Sequence, residues 1–134
     1  MTSIRDVYIS GPLFTPAERA YLEEIDNICN TVGLNTYLPH RDAGFAPAEG
    51  SHAERFFRQD LEMLIHSKHV VAILNGVDVD PGTAWEIGFA FAHKKPLLGI
   101  REDIRLGDLN LMITCSMKIV ETFSDLEEQL KKWK

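Results

Sequence analysis

Short apolar runs alternate along the chain with longer stretches in which apolar residues recur at a helical period. Short runs that end at turn residues are typical of buried strands, and the longer stretches are typical of helices. This alternation predicts a parallel sheet covered by helices on both faces. The predicted strands are 7–10, 35–38, 69–74, 96–100 and 117–121, and the predicted helices are 16–32, 53–66, 83–93 and one capped at 124.

Capping signals mark where three of these helices begin. Thr15 precedes Pro16 and stands three residues before Glu18, which is the arrangement of a capping box. Thr83 is the predicted cap of the third helix, and Ser124 is the predicted cap of the last one.

The chain has 134 residues, a length that favours one domain spanning 1–134. Five strands in that length predict an α/β, flavodoxin-like (Rossmann-like) three-layer sandwich with a five-stranded parallel sheet. The pattern leaves the order of the strands open. Segment 40–52 has no period and predicts a loop long enough to carry function.

The charge balance argues against several classes of partner. The chain carries 14 Lys+Arg against 20 Asp+Glu, a net charge of −6, whereas nucleic-acid binders cluster basic residues to displace counterions. No apolar run approaches the roughly 18–20 residues that cross a bilayer, and no signal peptide is visible at the start. We therefore expect a cytoplasmic protein with neither a nucleic-acid nor a membrane partner.

Cysteine and histidine spacing argues against a redox or metal site. Cys29 and Cys115 are far apart in apolar contexts, which favours two buried thiols over a disulfide or a catalytic cysteine. The five histidines show no metal-ligand spacing. We therefore expect no metal and no cofactor.

Ligands of open parallel sheets bind outside the carboxyl ends of the strands, near the point where the strand order reverses. This rule selects the segments 10–14, 39–51, 75–86 and 101–112, which follow the first four predicted strands. The first segment contains Gly11-Pro12-Leu13-Phe14, whose single glycine, proline and two apolar side chains do not suit a phosphate loop. It suits an apolar wall against a neutral ring or sugar.

Glu86 follows the turn at Pro81-Gly82 and is predicted to end the first turn of the helix that Thr83 caps. There the helix dipole would keep the carboxylate ionised, as a retaining glycosyl transfer requires of its nucleophile. A glutamate near a helix start is also what a capped helix prefers without any function. Asp78 and Asp80 are likewise either turn residues or acidic groups of a site.

Asp60 and Tyr8 are polar groups in otherwise apolar patterns. Asp60 is one turn from both Phe56 and Leu64. Either that stripe meets a polar site or the helix rotates the carboxylate into solvent, because burial without a partner is costly. Tyr8 lies on the first strand and is either a core residue or the partner of a nearby carboxylate.

Four motifs follow one another along the chain. They are Tyr8-Ile9-Ser10-Gly11-Pro12-Leu13-Phe14, Asp60-Leu61, the string D-x-G-x-x-x-E-x-G-x-A that begins at Asp80, and Asn110-Leu111-Met112. Together they resemble the nucleoside 2-deoxyribosyltransferases over nearly the whole chain, and the string from Asp80 is the strongest of them.

The resemblance implies transfer of 2-deoxyribose between nucleobases, with 2′-deoxynucleosides and free nucleobases as substrates and salvage as the pathway. Glu86 matches the nucleophile that attacks C1′ to form a covalent deoxyribosyl intermediate, and Tyr8 matches the residue that orients it. A second base then completes the exchange with retention of configuration. Asp60 and Asp80 match acidic positions that bind the sugar hydroxyl or exchange a proton with the base, and their two roles stay unassigned.

The resemblance also implies a homo-oligomer, at least a dimer. Asn110 matches a residue that reaches into a neighbouring subunit's site near the 5′-hydroxyl. The base is expected to be read by loop 41–50, which contains Asp42 and Phe45. The implied substrate-binding residues are Gly11, Pro12, Phe14, Asp42, Phe45, Gly82, Asn110 and Met112.

Two alternatives stay open. A related group of N-glycosidases gives the sugar of 2′-deoxynucleosides or their 5′-monophosphates to water. Its first loop is rich in Gly, Ser and Arg and it has serine where Asn110 stands, so both differences favour the transferase. The short C-terminal tail leaves the exclusion of water open. The other alternative is a non-catalytic nucleotide-sensing module, which would not require both Tyr8 and Glu86.

Overall fold

A five-stranded parallel sheet forms the middle layer of the protein. The computed structural model describes residues 3–44 and 52–134. Its strands are β1 Arg5–Ser10, β2 Thr36–Tyr37, β3 Ser67–Ile73, β4 Leu97–Ile100 and β5 Lys118–Val120. All neighbouring strands pair in parallel, which confirms the predicted α/β class. The order is β2-β1-β3-β4-β5, the flavodoxin-like arrangement.

One or two helices follow each of these strands. In the part of the chain that the structure describes, they are α1 Pro16–Val32, α2 Pro39–Asp42, α3 His52–Ile65, α4 Pro81–Ala92, α5 Leu111–Thr114 and α6 Phe123–Leu130. Single 3₁₀ turns lie at Ile104–Leu106 and Lys131–Trp133. None of the described helices is both long and apolar enough to cross a bilayer.

The two faces of β1 belong to different cores. Val7 is buried in one core with Leu22 of α1. Tyr8, whose side chain points the opposite way, is buried in the other core with Leu64 of α3 and Ala90 of α4. The alternation along one strand therefore assigns α1 to one face of the sheet and α3 and α4 to the other.

The predicted capping box of α1 is present. Thr15 Oγ1 accepts a hydrogen bond from Glu18 N at 3.1 Å, and Glu18 Oε1 accepts one from Thr15 N at 2.9 Å. The helix ends at Gly33, whose φ of 101° is the left-handed conformation that glycine adopts without strain. These signals hold α1 at its predicted bounds.

The predicted caps of α4 and α6 are wrong by two or three residues. Asp80, not Thr83, caps α4, and its carboxylate accepts a hydrogen bond from Thr83 N at 3.0 Å. Thr122, not Ser124, caps α6 and accepts one from Asp125 N at 3.0 Å. In both helices the cap lies three residues before the N–H it binds, so the predicted cap falls inside the first turn.

Two further expectations need correction. The predicted loop 40–52 begins with the short helix α2, since Pro39 occupies a first helical position where its missing N–H costs nothing. Cys29 is buried as predicted, but Cys115 is exposed. It follows α5, none of whose residues is buried, so the apolar appearance of that segment reflects a surface helix.

We expect Thr122→Ala to lower the free energy of unfolding by about 1 kcal/mol, because the N–H of Asp125 loses its cap. The matched control is Ser124→Ala, which removes a hydroxyl inside the helix and should change the stability by less than about 0.5 kcal/mol. Urea unfolding of both variants measures the difference. An equal or larger loss in Ser124→Ala would contradict this assignment of the cap.

Candidate active site

A cavity of about 540 Å³ lies beside the carboxyl end of β1. β1 has β2 on one side and β3 on the other, so the strand order reverses here and a crevice opens. The loop after β1, helix α3 and the first two turns of α4 supply its walls. The lining includes Gly11, Leu13, Phe14, Phe56, Phe57, Asp60, Asp80, Gly82, Trp85 and Glu86.

Glu86 is held through both oxygens of its carboxylate. Ser10 Oγ donates a hydrogen bond to Oε1 at 2.6 Å, and the hydroxyl of Tyr8 donates one to Oε2. Tyr8 and Ser10 are two residues apart on β1, and side chains at that spacing point to the same face of a sheet. Tyr8 is therefore both a core residue and the partner of a carboxylate.

Burial raises the pKa of Glu86 to about 7. The hydrogen bonds from Ser10 and Tyr8 lower this pKa, while the charges of Asp60 and Asp80 raise it. The expectation that a helix dipole keeps Glu86 ionised is wrong. Because α4 begins at Pro81, Glu86 lies in its second turn, where the dipole has largely faded and burial decides the balance.

Asp60 faces the cavity rather than bulk solvent, and Tyr37 of β2 holds it there. The hydroxyl of Tyr37 donates a hydrogen bond to Asp60 Oδ1 at 2.9 Å. Burial raises the pKa of Asp60 to about 6, and the hydrogen bond from Tyr37 partly offsets that rise. The rings of Tyr37 and Tyr8 stack with centroids 5.4 Å apart, because β1 and β2 place them opposite each other in register. Two tyrosine–carboxylate pairs therefore lie side by side.

Asp80 serves the helix and the cavity at once. Its Oδ2 accepts hydrogen bonds from Thr83 N at 3.0 Å and from Thr83 Oγ1 at 3.3 Å, which fixes the carboxylate at the start of α4. The same side chain lines the cavity. Asp80 is therefore both a capping residue at a turn and an acidic group in the lining of the cavity.

Most of the remaining lining is apolar, and four of its side chains are aromatic. Phe14, Phe56, Phe57 and Trp85 line the cavity, and the described part of the lining contains no lysine or arginine. Aromatic faces stack on planar rings. The three carboxyl groups, without a basic partner among the described lining residues, disfavour an anionic ligand. The cavity suits a neutral molecule with a planar ring and hydroxyl groups.

The predicted binding residues divide by location. Gly11, Phe14 and Gly82 line the cavity with the four acidic or phenolic residues, and Pro12 stands in the same loop between lining residues. Asp42, the last residue of α2, instead pairs with Arg41 at 2.7 Å. It also accepts a hydrogen bond from the N–H of Leu38, the residue before that helix. Phe45 falls within 45–51, outside the described residues.

Asn110 and Met112 line a second cavity, of about 620 Å³, which lies against Ile87 and Phe91 of α4. Asn110 caps α5 by accepting a hydrogen bond from Met112 N at 2.8 Å. Within one chain, neither residue belongs to the lining of the cavity that contains Glu86.

Sequence reasoning missed two residues of the site, Ser10 and Tyr37. The period of two along β1 could have found Ser10, because it puts this hydroxyl on the face of Tyr8. Tyr37 could not be found in that way. Its place beside Tyr8 depends on β2 pairing with β1, and the sequence pattern left the strand order open.

Within residues 3–44 and 52–134, no three His, Cys, Asp or Glu side chains are grouped so that they could hold a metal ion. The side chains at the cavity offer carboxylate and hydroxyl chemistry. A partly enclosed carboxylate such as Glu86 can act as a nucleophile. A carboxyl group with a pKa near neutrality, such as Asp60, can exchange a proton.

Comparison with known proteins identifies the family of this chain. A sequence model described as nucleoside 2-deoxyribosyltransferase matches residues 7–124. No curated protein matches the chain in sequence.

Three solved structures share the fold over nearly the whole of both chains. A conserved protein from Enterococcus faecalis has 24% identity and a TM-score of 0.84, over 97% of this chain and 99% of its own. The 2-deoxyribosyltransferase from Bacillus psychrosaccharolyticus has 25% identity and a TM-score of 0.79, over 93% and 95%. The CMP N-glycosidase BcmB from Clostridium botulinum has 16% identity and a TM-score of 0.64, over 94% and 98%.

The raised pKa of Glu86 predicts a loss of stability as the pH rises. Below about pH 4.5 the side chain is neutral in both the folded and the unfolded chain, and it has no effect. Between that pH and about 7, the unfolded chain ionises first. The free energy of unfolding should therefore fall by roughly 3 kcal/mol by pH 8.

Glu86→Gln should abolish this loss. We expect the variant to be more stable than the wild type by that amount at pH 8 and to differ by less than about 1 kcal/mol at pH 5. Urea unfolding at both pH values measures the change, with Glu24→Gln on the exposed face of α1 as the control. The same difference at both pH values would contradict burial as the cause.

Proposed function

The chain belongs to the nucleoside 2-deoxyribosyltransferase family, and we propose that it transfers 2-deoxyribose from a 2′-deoxynucleoside to a free nucleobase. The observation that carries this proposal is Glu86, whose carboxylate is held by Tyr8 at the wall of a cavity suited to a neutral ring and sugar. The full-length likeness to the Bacillus psychrosaccharolyticus 2-deoxyribosyltransferase supports it.

The reaction proceeds by two displacements at C1′. The ionised carboxylate of Glu86 forms a bond to C1′ as the bond from C1′ to the first base breaks, which gives a covalent deoxyribosyl ester. A nitrogen of the second base then bonds to C1′ while the ester bond breaks and the carboxylate is released. Each step inverts C1′, so the configuration is retained overall.

Tyr8 orients the nucleophile, and the two aspartates divide the remaining tasks. We assign proton exchange with the base to Asp60, because its pKa of about 6 lets it give and take a proton near neutral pH. We assign the sugar hydroxyl to Asp80, whose carboxylate is fixed by Thr83 at the rim of the cavity and can still accept a hydrogen bond.

The substrate on this proposal is a nucleoside rather than a nucleotide. A 5′-phosphate needs basic side chains or a loop of free N–H groups. In the loop after β1, Pro12 has no N–H and Phe14 N already donates to Glu18 Oε1 at 3.0 Å. The described lining contributes carboxylates instead of cations. Phe14 and the aromatic residues of α3 and α4 supply faces for stacking the base, and the prediction that Asp42 and Phe45 read the base stays a prediction.

We also propose that a second copy of this chain completes the site. Leu111 and Met112 expose 66% and 74% of their surface, and Phe91 exposes 60%, around the cavity that contains Asn110. A surface of large apolar side chains beside a cavity is typical of an interface. In such a homo-oligomer, Asn110 binds the 5′-hydroxyl in the neighbouring site.

Incubation with 2′-deoxyinosine and free adenine tests the activity. We expect 2′-deoxyadenosine and hypoxanthine to form in equal amounts, and we expect Glu86→Ala to lose this exchange. Loss of 2′-deoxyinosine without a new nucleoside would indicate hydrolysis, as in an N-glycosidase. Exchange that persists in Glu86→Ala would contradict the role of Glu86, and no turnover by the wild type would indicate a binding module.

Complementation tests the shared site. Glu86→Ala and Asn110→Ala should each be inactive alone, but in a mixed dimer one site contains both an intact Glu86 and a partner with Asn110. Coexpression in equal amounts should therefore restore about a quarter of the wild-type activity, since half of the random dimers are mixed and each has one intact site. Coexpressed pairs that stay inactive would contradict the contribution of Asn110 in trans.

A further inference from the structure

Ser10 is a buried polar residue at the end of β1 with no exposed surface. A buried hydroxyl that finds no partner destabilises a protein, so the direction in which it donates is informative. Ser10 Oγ donates to Glu86 Oε1 at 2.6 Å, across 76 residues of sequence. Neither displacement at C1′ assigns a task to this serine.

The two hydroxyls on Glu86 differ in their relation to the cavity. Tyr8 and Glu86 both line it, whereas Ser10 is absent from the described lining. Oε2 therefore accepts from a residue that lines the cavity, and Oε1 accepts from a buried residue that is absent from the described lining. In the proposed function, this difference favours Oε2 as the atom that meets C1′.

One hydrogen bond would not fix the orientation of the Glu86 carboxylate. The last torsion of a glutamate side chain is broad and nearly two-fold, so a single donor leaves the plane of the carboxylate free to turn. A second donor on the other oxygen, from the same strand, fixes that plane. Side-chain alternation along β1 supplies both donors from one rigid element.

We propose that Ser10 is a second positioning residue of the nucleophile, beside Tyr8: it holds Oε1 of Glu86 so that Oε2 faces the anomeric carbon in both displacements. This inference rests on the proposed function, in which Glu86 attacks C1′. In the ester, Oε2 is bonded to C1′ and Oε1 is the carbonyl oxygen, which still accepts the hydrogen bond from Ser10. When the second base attacks, the same bond stabilises the carboxylate that leaves.

The surroundings make this donor effective. Asp60 and Asp80 face Glu86 from α3 and from the start of α4 and oppose its ionisation, and burial does the same. The hydroxyls of Ser10 and Tyr8 have the opposite effect, because their hydrogen bonds favour the charged form of Glu86. Loss of either should make the carboxylate harder to ionise.

Variants of Ser10 test the proposal through the pH profile of base exchange. Ser10→Ala should lower kcat about 10- to 100-fold, the usual effect of removing a hydrogen bond to a charged group. The acidic limb of the profile of kcat/KM should move to higher pH by about one unit. Ser10→Thr keeps the hydroxyl and should recover most of both quantities, whereas Ser10→Cys has a weak donor on a slightly larger side chain and should behave like Ser10→Ala.

The matched control is Ser67→Ala at the far end of the same sheet. Ser67 is equally buried, and its Oγ donates to Met63 O at 2.7 Å, away from Glu86. The Ser67→Ala variant should be less stable than the wild type, but its pH profile of kcat/KM should not move. An acidic limb that stays in place in both Ser10→Ala and Ser10→Cys, or that moves equally in Ser67→Ala, would overturn the proposal.

A second readout separates this inference from the proposed function. The effect of Glu86→Gln on the free energy of unfolding, measured against pH in the same background, reports the ionisation of Glu86 without any substrate. In Ser10→Cys the midpoint of that dependence should move to higher pH by about one unit relative to the wild type. If the wild type exchanges no bases but this midpoint moves, the proposed function fails while the hold of Ser10 on Glu86 stands. A midpoint that does not move overturns the role of Ser10 even in an active enzyme.

Discussion

The structure depends on one carboxylate held between two hydroxyls. Glu86 of α4 accepts hydrogen bonds from Tyr8 and Ser10 of β1, so the interaction ties the helix that follows β3 to the strand beside β3 in the sheet. Burying such a group is costly unless its oxygens are satisfied. The two hydroxyls supply that satisfaction, and the end of β1 and the second turn of α4 must therefore stay in fixed relation.

The neighbouring pair of Tyr37 and Asp60 extends this constraint across the strand order. Tyr37 stacks on Tyr8 and binds Asp60, so strands β2 and β1 and helices α3 and α4 all meet at the cavity. Two carboxyl groups with pKa values of about 6 and about 7 then face the same space. The charge of Asp60 raises the pKa of Glu86, so the ionisation of Asp60 affects the carboxylate beside it.

Much of this arrangement could be predicted from local sequence. Periodicity indicated the strands and the α/β class, and residue types at fixed spacing indicated the capping box of α1. The rule for parallel sheets pointed to the segments that follow the strands. Glu86, Tyr8, Asp60 and Asp80 were candidates on their residue types and positions. A resemblance to one family raised Glu86 above the alternative of a plain helix residue.

What could not be predicted depends on distances between segments. Tyr37 meets Asp60 only because β2 pairs with β1, and that pairing leaves no local signal. The start of α4 was misplaced because Asp80 and Thr83 are both good caps, and only the geometry shows which one binds the free N–H. That shift moved Glu86 out of the first turn and replaced a dipole effect by burial as the cause of its pKa.

The most direct test is to trap the ester on Glu86. A 2′-deoxynucleoside analogue with fluorine at C2′ should react slowly enough for the deoxyribosyl enzyme to accumulate, because fluorine destabilises the positive charge that develops at C1′. Peptide mass mapping of the protein is then expected to find the fluorinated sugar on the peptide that contains Glu86, with one equivalent per chain. Turnover of the natural substrate without any label on that peptide, or a label on another residue, would contradict Glu86 as the nucleophile.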